Sequence, residues 1–364
     1  MLILVTEKPS DNAYIESLLD AYKAAGHSVI GDVTNFFHSN VVPDVLHIHW
    51  PERLYDWYPH RGGDPEAWRN LIEARLRWYR ENKTIIVHTV HNLQPHESRV
   101  ADSTSVFSLV IAYADILVHH CRNSIQELTG RFPAARHKQN IVCHHGDYLI
   151  NFHEIDRLEA RRRLHLPEDG LIILNFGKQR PYKNEPFVIS ALRKMRYPDK
   201  CLLIAGEFVY PPAGTMRRAL LRLKNHVRES LPRDSVRFIY KKFNEEEMAA
   251  VLCAADLLFL GQHRALNSGI LPLAATFARP AVYPDTGCFR ESMEGWWGES
   301  FTPGDLQDAA EKLDRVCESL SRQDYQYPRN TAWLEKNSWK RHAGAILDCI
   351  DNLPLPSSNG TNVA

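Results

Sequence analysis

Short apolar runs and amphipathic segments alternate along the chain from its first residues. LILVT (2–6) precedes YIESLLDAYKAAGHSV (14–29), DVLHIHW (44–50) precedes PEAWRNLIEARLRWYREN (65–82), and TIIVHTVHN (84–92) precedes SVFSLVIAYADILVHH (105–120). NIVCHHGDY (140–148) closes this series. A charged helix, EIDRLEARRRLHL (154–166), then leads to Pro167 and to a fresh strand, LIILNFG (171–177). The second series continues through PFVISALRKM (186–195), CLLIAGE (201–207), the basic helix TMRRALLRLKNHVRESL (215–231), VRFIYKKF (236–243) and NEEEMAAVLCAADLLFLG (244–261). Asn244 followed three residues later by Glu247 predicts a capping box at the start of that last helix. Short strands alternating with amphipathic helices predict an α/β protein with parallel, doubly wound sheets. The pattern breaks near residue 155, giving two Rossmann-like domains, 1–155 and 156–330. A helical region at 331–350 and a polar tail at 352–364, expected to be unstructured, complete the chain.

Composition narrows the picture without changing it. A chain of 364 residues suits two domains. Its 44 Lys+Arg balance 44 Asp+Glu, so no overall basic excess points to nucleic acid as a partner, and any anion site is local. The seven cysteines form no CxxC pair and sit mostly in apolar segments, as buried thiols in a reducing cytosol would. MLILVTEKPSD reads as a first strand, not a signal peptide, and the longest apolar run, LVIAYADILV, contains Asp115 and is far shorter than the ~20 residues of a membrane span. The expected location is cytoplasmic.

Ligands of open α/β sheets bind beyond the carboxyl ends of the strands, so chemistry is sought in the loops that follow them. FGKQRPYKN places Gly177, Lys178, Arg180 and Lys183 after the first strand of the second series, a cationic loop suited to a diphosphate. In LNSGILPLAATFARPAVYPDTG (266–287), Ser268 and Gly269 open an apolar helix whose first N–H groups can face an anion, and Thr286 and Gly287 end a turn that can meet a sugar or phosphate. Histidines gather at strand ends of the first series: His47, His49, His88, His91, His96, His144 and His145. They lack an HExxH motif, an i, i+4 helical pair or a cysteine pair, so no metal site is expected. His91 is read as a residue that takes a proton or hydrogen-bonds a hydroxyl. Trp50, Tyr55, Trp57 and Tyr58 precede a helix carrying Arg69, Arg75, Arg77 and Arg80, a combination that suits sugar stacking or contact with an anionic membrane.

The ordered motifs LHIHWPE, HTVHNLQPHE, HHGDY, FGKQRPYKN, LLIAGE, AADLLFL and LNSGILPLAATFARPAVYPDTG resemble those of GT-B glycosyltransferases of the family-4-like superfamily. They most resemble bacterial exopolysaccharide and lipopolysaccharide enzymes such as xanthan-type β-mannosyltransferases. The resemblance runs from about residue 1 to 350. It implies two Rossmann-like domains facing a central cleft, a UDP- or GDP-sugar donor held by the second, a glycan or lipid-linked acceptor held by the first, and no metal or other cofactor. The final helix would cross back to the first domain. On the donor side it implies roles for Arg180 and Lys183 at the diphosphate, Ser268 and Gly269 at the phosphate or sugar, and Tyr240 and Phe243 near the base. Gly177, Lys178, Gly206, Glu207, Thr286 and Gly287 complete that set. On the acceptor side it implies Asn12, His49, Glu52, Trp57 and Tyr148. It also implies a peripheral position at the inner face of the membrane.

One departure alters the expected reaction. Retaining members carry a Glu, seven residues and a second Glu across this loop and helix; the matching positions here are Leu266 and Ala274. Without those acids retention loses its support, and inversion requires a general base, for which His91, Glu97, Asp147 and Glu52 are candidates, His91 first. A nucleotide-sugar epimerase and a non-catalytic glycan- or nucleotide-sugar-binding subunit are the competing readings.

Overall fold

The structure is a computed structural model that describes residues 1–8, 12–56, 64–94, 103–148, 155–210, 215–230, 235–322 and 331–353. It divides into two compact units, Met1–Gly146 with Asn337–Ala364, and Asp147–Lys336.

The first unit is built on six parallel strands: β1 (Leu2–Val5), β2 (Ser28–Gly31), β3 (Val45–Ile48), β4 (Ile85–Thr89), β5 (Ile116–His119) and β6 (Gln139–Val142), in the order β2-β1-β3-β4-β5-β6. Side chains alternate across a strand, and both faces are covered here. Ile3 and Val5 of β1 join Ile15, Leu18, Leu19, Trp339 and Ile346 on one face, whereas Leu4 joins Leu46, Ile48, Ile86, Trp68, Ile72 and Leu76 on the other. Two-sided burial explains why the strands read as continuous apolar runs. The apolar segment 105–120 is not a single helix: the helix Ser103–Tyr113 ends and β5 begins at Ile116. Asp115 makes the junction, its carboxylate accepting the N–H of Ile86 at 2.9 Å.

In the second unit β7 (Leu171–Phe176), β8 (Lys200–Ala205), β9 (Val236–Ile239), β10 (Leu257–Phe259), β11 (Ala281–Pro284) and β12 (Gly298–Phe301) run parallel in the order β12-β11-β10-β7-β8-β9. The helices Glu185–Lys194 and Leu306–Ser321 cover one face over Ile173, Leu202, Ile204, Leu257 and Val282. Arg161, fully buried, ties the helix Arg157–Arg163 to this sheet by bonds to the carbonyls of Ala254, Glu168 and Gly170 and to the Asp256 carboxylate. The capping box stands as read: Asn244 Oδ1 accepts the Glu247 N–H at 2.8 Å, and the Glu247 carboxylate accepts the Asn244 N–H at 3.1 Å.

Two boundaries differ from the pattern. The units part at Asp147, not near 155, so Asp147 and Tyr148 belong to the second; Tyr148 N–H donates to Thr276 Oγ1 at 3.1 Å within it. The region 331–350 is two helices with different allegiance. Thr331–Lys336 packs Trp333 and Leu334 with Ala275 in the second unit, and Trp339–Asp351, capped by Ser338, packs into the first. Residues 354–364 of the tail lie outside the described ones.

Candidate active site

In the second unit β7 and β10 are neighbours, and the chain leaves them toward opposite edges of the sheet. This is the topological switch point, where an open α/β sheet offers its ligand crevice. The loop after β7 and the loop after β10 meet there: a Cβ on Gly261 would lie 3.4 Å from the Lys183 carbonyl oxygen. Gly177 (φ +102°) brings the backbone beside the start of the helix Ile270–Thr276, and a Cβ on it would sit 3.2 Å from Ile270 Cδ1 and 3.4 Å from Lys183 Nζ. Lys183 is only 5% exposed, and its ammonium donates to the Phe176 carbonyl at 2.9 Å. No carboxylate pairs with it among the described residues. Burial, reinforced by Arg180, pulls its pKa down to about 8. A buried cation without a counter-charge is costly by itself and is relieved by an anion.

The other donor-side residues divide. Gly206 (φ +143°) lies against the Gly177 carbonyl, where a Cβ would approach to 2.0 Å. Gly206→Ala should therefore cost about 3 kcal/mol through overpacking and backbone strain, read as a drop in the urea midpoint. An unchanged midpoint would contradict this close approach. Gly287 (φ +54°) packs on the carbonyls of Ala265 and Leu266, so the turn at 284–287 braces the loop that precedes Ser268. The Ser268 hydroxyl accepts the Ile270 N–H at 3.3 Å, and the Thr286 N–H donates to the Pro284 carbonyl at 2.9 Å. Both groups are thus used within the loops. Lys178 is exposed and 4.0 Å from Glu207. Tyr240 is tied into a framework: its hydroxyl donates to Glu185 at 2.8 Å and its N–H to Glu229 at 2.7 Å, while Arg228 pairs with Glu185 at 2.7 Å. Phe243 packs against Phe176. Ala274, at the position of the second family acid, is fully buried.

In the first unit the order β2-β1-β3 puts the switch point between β1 and β3. Glu7 follows β1 and is 1% exposed; its carboxylate accepts from the Thr6 hydroxyl at 2.9 Å and from the Trp50 N–H at 3.4 Å. Beside it His91 stacks on Trp50 with centroids 4.4 Å apart, and His91 Nε2 lies 3.0 Å from His49 Nδ1. His49 Nε2 is buried with no partner among the described residues. An orphaned lone pair costs less than an orphaned N–H, so the shared hydrogen belongs on His49 Nδ1 and His91 carries its own on Nδ1. In this arrangement His91 Nε2 is engaged with His49, and burial with neighbouring imidazoles holds the His91 pKa well below 6.5. Glu52 accepts from Asn92 at 3.0 Å, and Asn12 caps the helix Ala13–Ala24 by accepting the Tyr14 N–H at 2.9 Å. Trp57, Tyr58, His96 and Glu97 lie outside the described residues.

Tyr14 is the hub of this region and was not singled out from sequence. Its ring meets His49, His91, His120, His145, Trp339 and His342 edge-on at 4.8–5.8 Å. His342, also unforeseen, donates from Nδ1 to the His144 carbonyl at 2.8 Å, leaving Nε2 to accept the Tyr14 hydroxyl at 3.1 Å. His88 and His120 likewise donate from Nδ1 to the carbonyls of Ile48 and Cys143. Among the described residues no group of three His, Cys, Asp or Glu side chains has the geometry to hold a metal ion. The sequence signal for Glu7 was its place directly after a core strand; Tyr14 and His342 had none.

No family model matches the chain. It is 27% identical over 288 residues to a GDP-mannose:glycolipid 4-beta-D-mannosyltransferase of Xanthomonas campestris pv. campestris, covering 78% of this chain and 73% of that protein. It is 26% identical over 285 residues to a D-inositol 3-phosphate glycosyltransferase of Geodermatophilus obscurus, covering 75% of this chain and 59% of that one. Among solved structures, sucrose-phosphate synthase of Thermosynechococcus elongatus superposes with a TM-score of 0.69 at 16% identity, covering 96% of this chain and 98% of the other. Anabaena HepE in complex with UDP and glucose gives 0.69 at 13% identity, covering 97% and 99%. Two parallel six-stranded sheets flanked by helices are the architecture of this group. The chain has the fold of these GT-B structures and is similar in sequence to two proteins named as glycosyltransferases.

Proposed function

We propose that the enzyme transfers a hexose from a nucleoside diphosphate sugar to a glycan or lipid-linked acceptor in bacterial surface polysaccharide synthesis, at the cytoplasmic face of a membrane. GDP-mannose is the first donor to test, because the Xanthomonas relative is named for it. The observation that carries this reading is Lys183, a buried ammonium with no carboxylate partner among the described residues, at the switch point of the second sheet. It and Arg180 would neutralise the diphosphate as it departs, which makes a metal ion unnecessary. The first unit would handle the acceptor. The side chains at Leu266 and Ala274 supply no carboxylate, which favours inversion: the acceptor oxygen bonds to the anomeric carbon, the bond to the diphosphate breaks, and the acceptor proton passes to a base. Asp147 and Glu97 are the carboxylates proposed for that proton. Incubation with GDP- and UDP-sugars and a glycolipid acceptor, with and without a chelator, tests the whole reading. Release of nucleoside diphosphate with glycosylated product supports it; no turnover with any donor overturns it.

His91 is kept among the residues proposed to face the reacting groups, because it stacks on Trp50 and bonds His49 beside the first switch point. His91→Ala should lower kcat/KM about 100-fold, and an unchanged kcat/KM would remove it from the site.

A further inference from the structure

The helix Thr215–Ser230 is amphipathic, but its apolar side faces outward. Met216, Leu220, Leu223 and Val227 are 78%, 62%, 60% and 43% exposed. At ~100° per residue these four fall within an arc of about 60°, one continuous stripe. The side that packs on the unit is mixed: Asn225 is 3% exposed, Leu221 is half-buried beside it, and Arg228 pairs with Glu185 while its guanidinium lies 4.9 Å over the Phe238 ring. Folding normally turns a helix the other way. A stripe of four large apolar side chains left in water marks a surface that meets a partner.

Charge identifies the partner. Lys224 and His226 are exposed on either border of the stripe, Arg222 is exposed further round and Arg218 on the opposite side, and the helix sequence TMRRALLRLKNHVRES contains one acid, Glu229, at its far end. Two copies joined by this face would oppose like charges, which disfavours self-association. Apolar side chains bordered by basic ones match the boundary layer of an anionic bilayer, where the apolar stripe enters the acyl region and the cations meet phosphate headgroups. Among the described residues no helix is long and apolar enough to cross a membrane, so any contact of these helices with one is peripheral.

We propose that the helix Thr215–Ser230 is an interfacial docking helix for an anionic lipid surface, lying in the plane of the membrane on its Met216–Leu220–Leu223–Val227 stripe. This deepens the proposed function by rooting its lipid-borne acceptor reading in a specific surface. Sedimentation of the full chain with vesicles of phosphatidylcholine alone, or with about 30% phosphatidylglycerol, tests it. Binding is expected to the anionic vesicles only and should weaken as salt is raised. Leu220→Gln with Leu223→Gln should weaken it at least about tenfold, and Arg222→Ala with Lys224→Ala about 30-fold. Sedimentation that is equal for both vesicle types, or unchanged in both double variants, overturns the proposal. So does a concentration-dependent dimer lost in the leucine variant without vesicle capture, which would assign the stripe to a second copy. Turnover of a soluble acceptor in the same variants should equal wild type. Vesicle binding without turnover of any donor would sink the transferase reading and leave this one standing; turnover without vesicle binding would do the reverse.

Discussion

Lys183→Met is expected to weaken the binding of GDP and GDP-mannose by about 10- to 100-fold, because it keeps the buried stem and deletes the charge. A charge-assisted hydrogen bond contributes about 1.5–3 kcal/mol, and each 1.4 kcal/mol is tenfold in affinity. The free protein holds this ammonium at 5% exposure against one carbonyl, Phe176, so its charge is under-solvated until an anion arrives. Its pKa of about 8 sets the pH dependence. Below 8 the cation is present and donor affinity is highest; as pH rises through 8 the free enzyme loses the charge and affinity falls. Donor binding should in turn raise that pKa, so protons are taken up on binding near pH 8. Calorimetry of wild type and Lys183→Met at pH 7 and 9 measures both effects. Equal affinity for the two proteins at pH 7 would show that the diphosphate sits elsewhere.

Acid should unfold the first unit well before the carboxylates titrate. Burial holds His88, His119 and His120 at about 4 and His145 and His342 at about 3. The unfolded chain protonates the same imidazoles near 6.5, so between 6.5 and these lower values the unfolded state binds more protons. Stability from these groups is complete above 6.5 and is lost as pH falls toward 3. At pH 5 the loss is about 2 kcal/mol for each imidazole that must stay neutral, so a few of them reach the scale of a whole domain's stability, about 5–15 kcal/mol. The helix Trp339–Asp351 should be released with them, since His342 bonds both the His144 carbonyl and the Tyr14 hydroxyl. Urea midpoints at pH 7.5, 6 and 5 should fall steeply across the series. A midpoint that stays level from 7.5 to 5 would mean that the cluster is hydrated or already charged.

Much of the site could be read before any fold was known, because strand ends are where parallel sheets expose backbone and loops. Lys183 and Gly177 were identified in that way from FGKQRPYKN, and His91 and His49 from their strand ends. What sequence could not supply was how much of each side chain the fold consumes. Ser268, Thr286 and Asn12 looked available and turn out to be partnered within their own loops and caps, and Tyr240 is held by Glu185 and Glu229 from other elements. Glu7 and Gln262 were passed over, yet both are almost fully buried at the end of a core strand. The helix at 215–230 misleads in another way: its periodicity is correct, yet the residue it buries most fully is the polar Asn225, and four large apolar side chains stay exposed.

Local spacing determined the class of protein. Apolar runs of strand length alternating with amphipathic helices admit few arrangements other than parallel sheets covered on both faces, and the capping box, the glycine turns and the cationic loop are all contained within a few residues of chain. Tertiary structure alone decided what depends on distant partners. Strand order made neighbours of β7 and β10, whose paired residues Ile173 and Leu257 are 84 residues apart, and so fixed where the second switch point lies. It also brought His342 to Tyr14 across 328 residues of sequence. Burial, which leaves the Lys183 ammonium under-solvated and keeps the histidines neutral, is a property of that long-range packing and has no local signature.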